Sequence, residues 1–404
     1  MSAQTTPITE RQLDLITRAH CDAGGLIEPL LASSARVKLL CAPAGSGKSA
    51  LLTECLLRAP EHCRVYWLPL SGTCLSVVDF QQRLTQALGF AAADELVLLE
   101  SLARLQTPTW VFLDDYCRVP NPELDRLLDR LLAVRNPLLN WWLGSRRRPS
   151  CNWPRLLLDD ELYECEARAL AFNESDIEQL LVHVAPEQAA ITARKIIQRS
   201  GGWCAGTRIA LLDGCQWMAG QDKQGRSATL LDYLQHELFN TLPPELLEAW
   251  QVLAHLPRFN AGLCEHLFGA GEGAQWLHAL QDMGCFIEPW EDSPDWLRVF
   301  VPLARAMRDE QGSAGRSWHR RACQWFTAEQ DWQGAFEQAL LAEEYEVAVS
   351  LLQHFSFEDL FRQQNAALLL RLHEQHGDEW MLCSAQLVGL VRRRCCSPGA
   401  RGRH

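Results

Sequence analysis

One eight-residue stretch has the residue types and spacing to hold a phosphate chain. It fits the phosphate-loop pattern, with alanine at the first glycine position. Its members, all expected to bind a nucleotide, are Ala42, Pro43, Ala44, Gly45, Ser46, Gly47, Lys48 and Ser49. The glycines let the backbone amides turn toward one anion, Lys48 would place its ammonium on the β- and γ-phosphates, and the Ser49 hydroxyl would ligate Mg²⁺. A glycine-rich turn that binds nothing is the alternative, but the flanking strand and helix patterns favour phosphate binding.

Two adjacent carboxylates follow a second apolar run, Trp110–Leu113. Magnesium bound to a nucleotide needs a hard oxygen ligand at such a strand end, directly or through water, and Asp114 is the candidate. Asp115 is a candidate to orient or deprotonate an attacking water. The alternative is a solvated acidic turn, but the phosphate loop earlier in the chain favours a metal and nucleotide site.

Three arginines follow a third apolar run, in the sequence GSRRR at 144–148. An arginine at a strand end beside the γ-phosphate would sense its presence by bidentate contact, and Arg146 is the candidate. A basic surface loop is an equally open interpretation of these residues.

Strands and helices alternate along the first 170 residues and must position these three groups. The apolar runs predict strands at 37–42, 64–70, 109–115 and 140–145, with a further short strand within 161–170. Alternation of this kind predicts a parallel sheet covered by helices. After Phe172 the pattern is helical, except for two short strands predicted within 284–303, which fit a winged-helix module. From Arg316 onward, two similar alanine-bearing units resemble tetratricopeptide-like repeats.

Composition and charge place the chain among folded soluble proteins. Of its 404 residues, 48% are hydrophobic and 22% charged, and the formal charge of 38 − 50 = −12 argues against a surface that coats nucleic acid or an anionic membrane. No apolar run is long enough for a membrane span, and no secretory signal is visible. The sixteen cysteines show no zinc-type spacing. We therefore expect a cytoplasmic protein that does not contact membranes, with most cysteines buried.

Several segments, taken in their order along the chain, carry a resemblance to a known family. APAGSGKS, VFLDDY, LGSR, GGWCAGTRIALL and LDYLQHELFNTLPPELLEAW together resemble the MalT-type, large ATP-binding LuxR regulators, which belong to the signal-transduction ATPases with numerous domains. The resemblance spans roughly residues 15–390. It implies that bound ADP holds a closed resting form, and that an inducer with ATP opens it and allows self-association and transcription activation.

The resemblance also implies roles for single residues. Arg146 matches the family's Ser-Arg sensor, and residues 114–115 match its acidic pair. Trp203 and Gly206 match a Gly-Trp-Pro-Ala-Gly segment that closes over the nucleotide from a helical domain, although Cys204 stands where the family has proline and a buried structural Trp203 is equally open. Val301 stands where a histidine that contacts the phosphates in the closed form is expected, which puts the strength of an ADP-locked state in doubt.

The implied organisation has five parts. They are a P-loop nucleotide-binding α/β domain at 1–172, a helical domain at 173–229, a winged-helix domain at 230–312, incomplete tetratricopeptide-like helical repeats at 313–391, and a basic, disordered tail at 392–404. The tail has the composition that GC-rich codons give when they are read out of frame. We therefore predict a reading frame broken near Val391, before the C-terminal helix-turn-helix. A natural short form with a basic tail is the alternative.

These observations predict an ATP-binding signal-transduction switch of a transcription regulator. The cofactors are ATP or ADP with Mg²⁺, and the partners are an unidentified inducer and further copies of the chain. DNA would be bound only through a domain absent from this sequence. As an enzyme the chain would be at most a slow ATPase. Two alternatives stay open: a kinase or other ATPase enzyme, and a protein-interaction scaffold that a nucleotide only stabilises.

Overall fold

The structure is a computed structural model that describes residues 25–72, 75–90, 94–182, 189–212, 228–290, 293–308 and 315–355. These residues form two compact units. The first holds the described residues up to Pro243 together with His278–Ile287 and Phe300–Ala306, and the second holds Pro244–Leu277, Glu288–Val299 and the described residues from Met307 onward. The predicted repeat helices beyond residue 355 and the basic tail at 392–404 lie outside the described residues.

A five-stranded parallel sheet forms the centre of the first unit. Its strands are β1 (Val37–Cys41), β2 (Arg64–Pro69), β3 (Thr109–Asp114), β4 (Leu139–Ser145) and β5 (Leu162–Glu166). They lie in the order β2-β3-β4-β1-β5, and every neighbouring pair is parallel. The four predicted strands and the further short strand are therefore confirmed, and so is the predicted α/β fold class.

Helices cover both faces of this sheet and continue beyond it. Those up to residue 243 are α1 (Ile27–Ala32), α2 (Lys48–Leu57), α3 (Val77–Leu88), α4 (Glu95–Ala103), α5 (Pro122–Leu132), α6 (Trp153–Leu158), α7 (Ala167–Leu170), α8 (Glu174–Val182), α9 (Ala189–Ser200), α10 (Cys204–Leu212) and α11 (Ala228–Glu237). Side chains cap several of them, as Asn121 does where it accepts a hydrogen bond from the amide of Leu124 at the start of α5. Apolar clusters fill both faces, because strands covered on both sides have no face left for water.

The parallel register brings the three predicted functional segments to one edge of the sheet. Strands β1, β3 and β4 are neighbours, and the chain leaves them after Cys41, Asp114 and Ser145. The carboxyl ends of adjacent parallel strands lie at the same edge, which is where open α/β sheets bind ligands. The phosphate loop, the acidic pair and the arginine run therefore begin next to one another at this edge of the sheet.

The remaining elements include a two-stranded hairpin and further helices. The hairpin is β6 (Ile287–Trp290) with β7 (Ser293–Val299), and the helices are α12 (Pro244–His255), α13 (Ala261–Phe268), α14 (Glu272–Asp282), α15 (Val301–Arg308), α16 (Gly315–Ala328), α17 (Trp332–Leu341) and α18 (Tyr345–Leu351). In the second unit the guanidinium of Arg258 lies over the rings of Trp290 and Trp296 and donates to Asp331 at 2.6 Å, which links the hairpin to the helices that follow it. The two predicted strands within 284–303 are thus present, while the tetratricopeptide-like assignment stays a prediction.

None of the helices within the described ranges is both long enough and apolar enough to span a lipid bilayer.

Candidate functional site

The phosphate loop joins β1 to α2 and holds Lys48 in a buried position. Gly45 and Gly47 have φ of +68° and +90°, in the left-handed region that an L side chain rarely adopts. Lys48 Nζ donates hydrogen bonds to the carbonyl oxygens of Ala42 at 2.6 Å and Pro43 at 2.8 Å. Burial, together with the nearby charge of Arg146, lowers the pKa of Lys48 to about 8. The loop therefore supplies a desolvated ammonium that is held by main-chain oxygens.

Ser49 and Asp114, the two predicted magnesium ligands, lie beside each other at this loop. The Ser49 hydroxyl donates to Asp114 Oδ1 at 2.8 Å. Burial raises the pKa of Asp114, and the charge of Asp115 adds to this rise while the hydrogen bond from Ser49 opposes it. Gly144 leaves room for the pair, since a Cβ at this position of β4 would lie 3.3 Å from Asp114 Oδ1 and 2.9 Å from a methyl carbon of Leu52.

Asp115 is held by two guanidinium groups. It adopts a left-handed conformation with φ of +52°, Arg118 donates to its Oδ2 at 2.6 Å, and Arg146 donates to its Oδ1 at 3.3 Å. Burial alone would raise the pKa of Asp115, but the hydrogen bond from Arg118 and the charge of Arg146 outweigh it and leave the pKa lowered. The environments of the two neighbouring carboxyls therefore push their pKa values in opposite directions.

Arg146 links Asp115 to a residue far along the chain. Its Nη2 donates to Glu237 Oε2 at 2.6 Å, and Glu237 is the last residue of α11. The Arg146 side chain is 11% exposed and that of Glu237 is 33% exposed. Asp115, Arg146 and Glu237 form what we call the edge cluster, in which one guanidinium joins two carboxylates from different elements.

The next arginine takes a different position. Arg147 donates to both carboxylate oxygens of Asp125, at 2.8 and 2.7 Å, and the Tyr116 hydroxyl donates to the same carboxylate at 3.0 Å. We call Tyr116, Asp125 and Arg147 the buried cluster, because the two charged side chains are only 2–3% exposed. Arg148 points elsewhere again and forms a partly exposed ion pair with Glu164. Of the three adjacent arginines, Arg146 alone lies beside the phosphate loop.

Helix α10 is joined to the phosphate loop by two hydrogen bonds. The amide of Ala205 donates to the Gly45 carbonyl, and the indole Nε1 of Trp203 donates to the Ala44 carbonyl, each at 2.9 Å. The contact is close, because a Cβ at Gly45 would lie 2.5 Å from that of Ala205. Trp203 is buried and packs edge-to-face against Tyr233. Trp203 therefore packs against the loop and supports it.

A cavity of about 420 Å³ opens in front of the loop. It is lined by Ala44, Gly45, Ser46, Gly47, Lys48, Ser49, Ala50, Asp115, Arg146, Cys204, Ala205, Arg208, Ile209 and Tyr233. The structure thus brings most of the predicted site residues together. The predicted residues outside this lining are Ala42, Pro43, Asp114, Trp203 and Gly206, and Gly206 packs on the Trp203 ring. Val301, where a histidine was expected, begins α15 and does not line the cavity.

Sequence reasoning missed four side chains that the structure places at this edge: Arg118, Arg208, Tyr233 and Glu237. Arg208 had a usable signal, because it stands one helical turn after Cys204, in the segment already matched to the family. Tyr233 and Glu237 also lie in a segment matched to the family, but the match gave them no role, and Arg118 had no signal because it reaches the site only through the fold. Arg118, Arg146 and Glu237 also line a second cavity, of about 210 Å³, together with Met283–Phe286. Arg146 therefore borders both cavities.

Comparison with known proteins agrees with the sequence resemblance. Residues 235–319 match the family model of the MalT winged helix domain. The HTH-type transcriptional regulator MalT of Yersinia pestis is 22% identical over 327 residues, which cover 74% of this chain and 35% of MalT. The predicted resemblance to the MalT-type regulators is confirmed.

Two further similarities extend this comparison. The serine/threonine-protein kinase PknK of Mycobacterium tuberculosis is 27% identical over 387 residues, which cover 86% of this chain and 34% of PknK. The chain thus spans about a third of the length of each of these two relatives. Among solved structures, a Walker-type ATPase of Pyrococcus abyssi aligns with 71% of this chain and 95% of its own at 13% identity, and its TM-score of 0.43 is too low to carry a conclusion.

Proposed function

We propose that the chain is the nucleotide-binding switch of a MalT-type transcription regulator. An adenine nucleotide binds in the cavity at the phosphate loop, and the difference between ATP and ADP changes how α10, α11 and the segment Met283–Phe286 hold that site. The change in turn controls self-association and transcription activation. The choice of adenine and of these outputs comes from the family resemblance.

One observation carries this proposal: the loop glycines, buried Lys48 and Ser49, whose hydroxyl donates to Asp114, line one cavity at the carboxyl edge of a parallel sheet. Pockets of this size hold small-molecule ligands, and the start of α2 adds amides and the positive end of a helix dipole. A phosphate chain would replace the two carbonyl oxygens as the partner of Lys48. Since the oppositely charged phosphates favour the ammonium form, binding would raise the lowered pKa of Lys48.

The residues also fit a magnesium ion bound with the nucleotide. Mg²⁺ prefers hard oxygen ligands and retains several waters, so one hydroxyl and one carboxylate from the protein suffice. Ser49 and Asp114 would hold the ion directly or through water, and the bound ion would neutralise charge on the phosphates. Burial and the neighbouring charge of Asp115 raise the pKa of Asp114, and among the residues that the structure describes no cation forms an ion pair with it.

Arg146 is the proposed sensor of the third phosphate. Its guanidinium already joins Asp115 and Glu237, so a γ-phosphate would compete with the Glu237 carboxylate for the same donors. ADP lacks that group and would leave the Arg146–Glu237 contact in place. Because Glu237 ends α11, ATP and ADP would then stabilise different positions of that helix.

Hydrolysis in this arrangement would be slow. Both oxygens of Asp115, the candidate water-orienting carboxylate, already accept hydrogen bonds from arginines, and its lowered pKa makes it a weak general base. Slow turnover suits a switch, because each nucleotide-bound state then lasts long enough for a partner to recognise it.

The test is to compare ATP and ADP, each with Mg²⁺, on the full chain. We expect the two nucleotides to shift limited proteolysis or oligomeric state in different ways, and Lys48→Ala to abolish both effects while circular dichroism shows a folded variant. Identical responses to ATP and ADP would contradict the switch. Rapid transfer of phosphate to an added metabolite would favour the kinase alternative, and binding of GDP as tight as that of ADP would contradict the choice of adenine.

A further inference from the structure

We infer that Arg208 is a further phosphate-binding residue, supplied by α10 from the wall of the cavity that faces the phosphate loop. The inference rests on the proposed function and names a contact that the sequence motifs did not predict. It starts from the three cations that line the cavity, namely Lys48, Arg146 and Arg208.

The three cations differ in what they already bind. Lys48 donates to two main-chain carbonyls, and Arg146 donates to two carboxylates. Arg208 is half-buried, yet it makes no hydrogen bond or ion pair with any residue that the structure describes. A guanidinium removed from water without an acceptor loses solvation free energy, so its position beside the loop is best explained by an anion that binds there.

The position of Arg208 is fixed by the contacts of α10 with the loop. The Ala205 and Trp203 hydrogen bonds hold the first turn of the helix against the loop carbonyls. Cys204 lies against Gly47, with its Sγ 3.7 Å from where a Cβ of Gly47 would stand. Residues four apart share one face of a helix, so Arg208 lies one turn beyond Cys204 on the face that meets the loop.

The positive charge of Arg208 determines which part of a nucleotide it would contact. The main-chain NH groups and Lys48 hold the phosphates at the loop, and Arg208 belongs to the same cavity lining. A guanidinium presents several donors in a plane that matches phosphate oxygens, whereas an uncharged base gives it no counter-charge. The contact would also attach α10 to the bound nucleotide, so that binding tightens the existing link between this helix and the loop.

The test measures the displacement of fluorescently labelled ADP from the full chain by ADP, pyrophosphate and adenosine. Arg208→Gln should weaken ADP and pyrophosphate by about tenfold, the scale of one charge-assisted hydrogen bond, and leave adenosine unchanged. Arg208→Lys should recover part of the loss because it keeps the charge. Arg83→Gln, an exposed arginine on α3, is the matched control and should match the wild type.

Each outcome decides the inference. Pyrophosphate binding within twofold of wild type in Arg208→Gln would overturn it, and so would an equal loss for adenosine, which would indicate a contact with the base or damage to the fold. Failure of the wild-type chain to bind ADP would remove the proposed function and this inference together. Binding of ADP that does not depend on Arg208 would remove only the inference.

Discussion

Two arginines that are neighbours in sequence belong to clusters with opposite properties. In the edge cluster, Arg146 borders two cavities and shares its donors between Asp115 and Glu237, which is one-third exposed. In the buried cluster, Arg147 forms a bidentate pair with Asp125, donates to the Cys117 carbonyl, and is almost fully buried. Arg146 therefore lies at a cavity wall with partly exposed partners, while Arg147 and its partner are shielded from solvent.

The difference bears on how Arg146, the proposed phosphate sensor, is held in place. The buried cluster anchors the chain just after β4 to the start of α5 through Asp125. The main chain of Arg146, the residue before Arg147, is therefore held in position. Asp125 also accepts from the amide of Ser150, which fixes the far end of the arginine run. A rigid anchor beside a guanidinium with exchangeable partners is what precise recognition of a phosphate requires.

The largest effect is expected on breaking the buried cluster. Asp125→Asn leaves the Arg147 charge buried without a carboxylate, so we expect the free energy of unfolding to fall by about 3–5 kcal/mol in urea denaturation. Asp159→Asn, which removes the exposed pair with Arg135, is the control and should cost less than about 1 kcal/mol. Equal losses in the two variants would contradict the distinction between buried and exchangeable pairs.

A smaller and different effect is expected in the edge cluster. Arg146→Gln should lower the affinity for ATP by about tenfold more than that for ADP, because only ATP carries the phosphate that Arg146 would bind. Its unfolding free energy should fall by only about 1 kcal/mol, since Asp115 keeps Arg118 as a partner. Glu237→Gln frees the guanidinium and should raise the affinity for ATP relative to ADP. Equilibrium titrations of both variants with both nucleotides measure these affinities, and a change of the same size in the affinities for ATP and ADP would contradict the sensor role.

The smallest effect concerns Lys38, a buried cation that forms no ion pair with a carboxylate in the described part of the chain. Lys38 donates to Asn140 Oδ1 at 3.1 Å, and burial lowers its pKa to about 8. Below pH 8 the folded chain must hold a buried charge. Between pH 8 and 10.5 the unfolded chain still binds the proton that the folded chain has released, so the contribution of Lys38 to stability rises with pH.

Lys38→Met should therefore stabilise the chain by about 1 kcal/mol at pH 7, and by less at pH 9.5. Urea denaturation of both proteins at each pH measures the difference between their free energies of unfolding. The contributions of the other titrating groups cancel in this difference. Lys195→Met, on the exposed side of α9, should change nothing at either pH. A gain for Lys38→Met of the same size at both pH values would show that burial of its charge is not the cause.

The sheet and the phosphate loop could be predicted because each depends on local sequence. The strands are short apolar runs buried on both faces, and the loop is a fixed spacing of glycines and lysine whose φ values only glycine adopts easily. For the predicted phosphate sensor the sequence favoured Arg146 among three adjacent arginines, but only packing shows that Arg147 is buried against Asp125 while Arg146 borders the cavity. Trp203 was predicted either to close over the nucleotide or to be a buried structural residue; it is buried, and its indole donates to the Ala44 carbonyl. Glu237 and Arg208 lie in segments that resemble the family, but only the packing of their helices shows that they reach this edge of the sheet.

Isothermal calorimetry of the full chain with ADP and ATP, each with Mg²⁺, tests the central claim most directly. The account predicts one site per chain for each nucleotide, and loss of the heat in a folded Lys48→Ala variant, because the buried ammonium and the loop amides bind the phosphates. Absence of heat with either nucleotide on verified folded wild-type protein would contradict it, as would unchanged binding by Lys48→Ala.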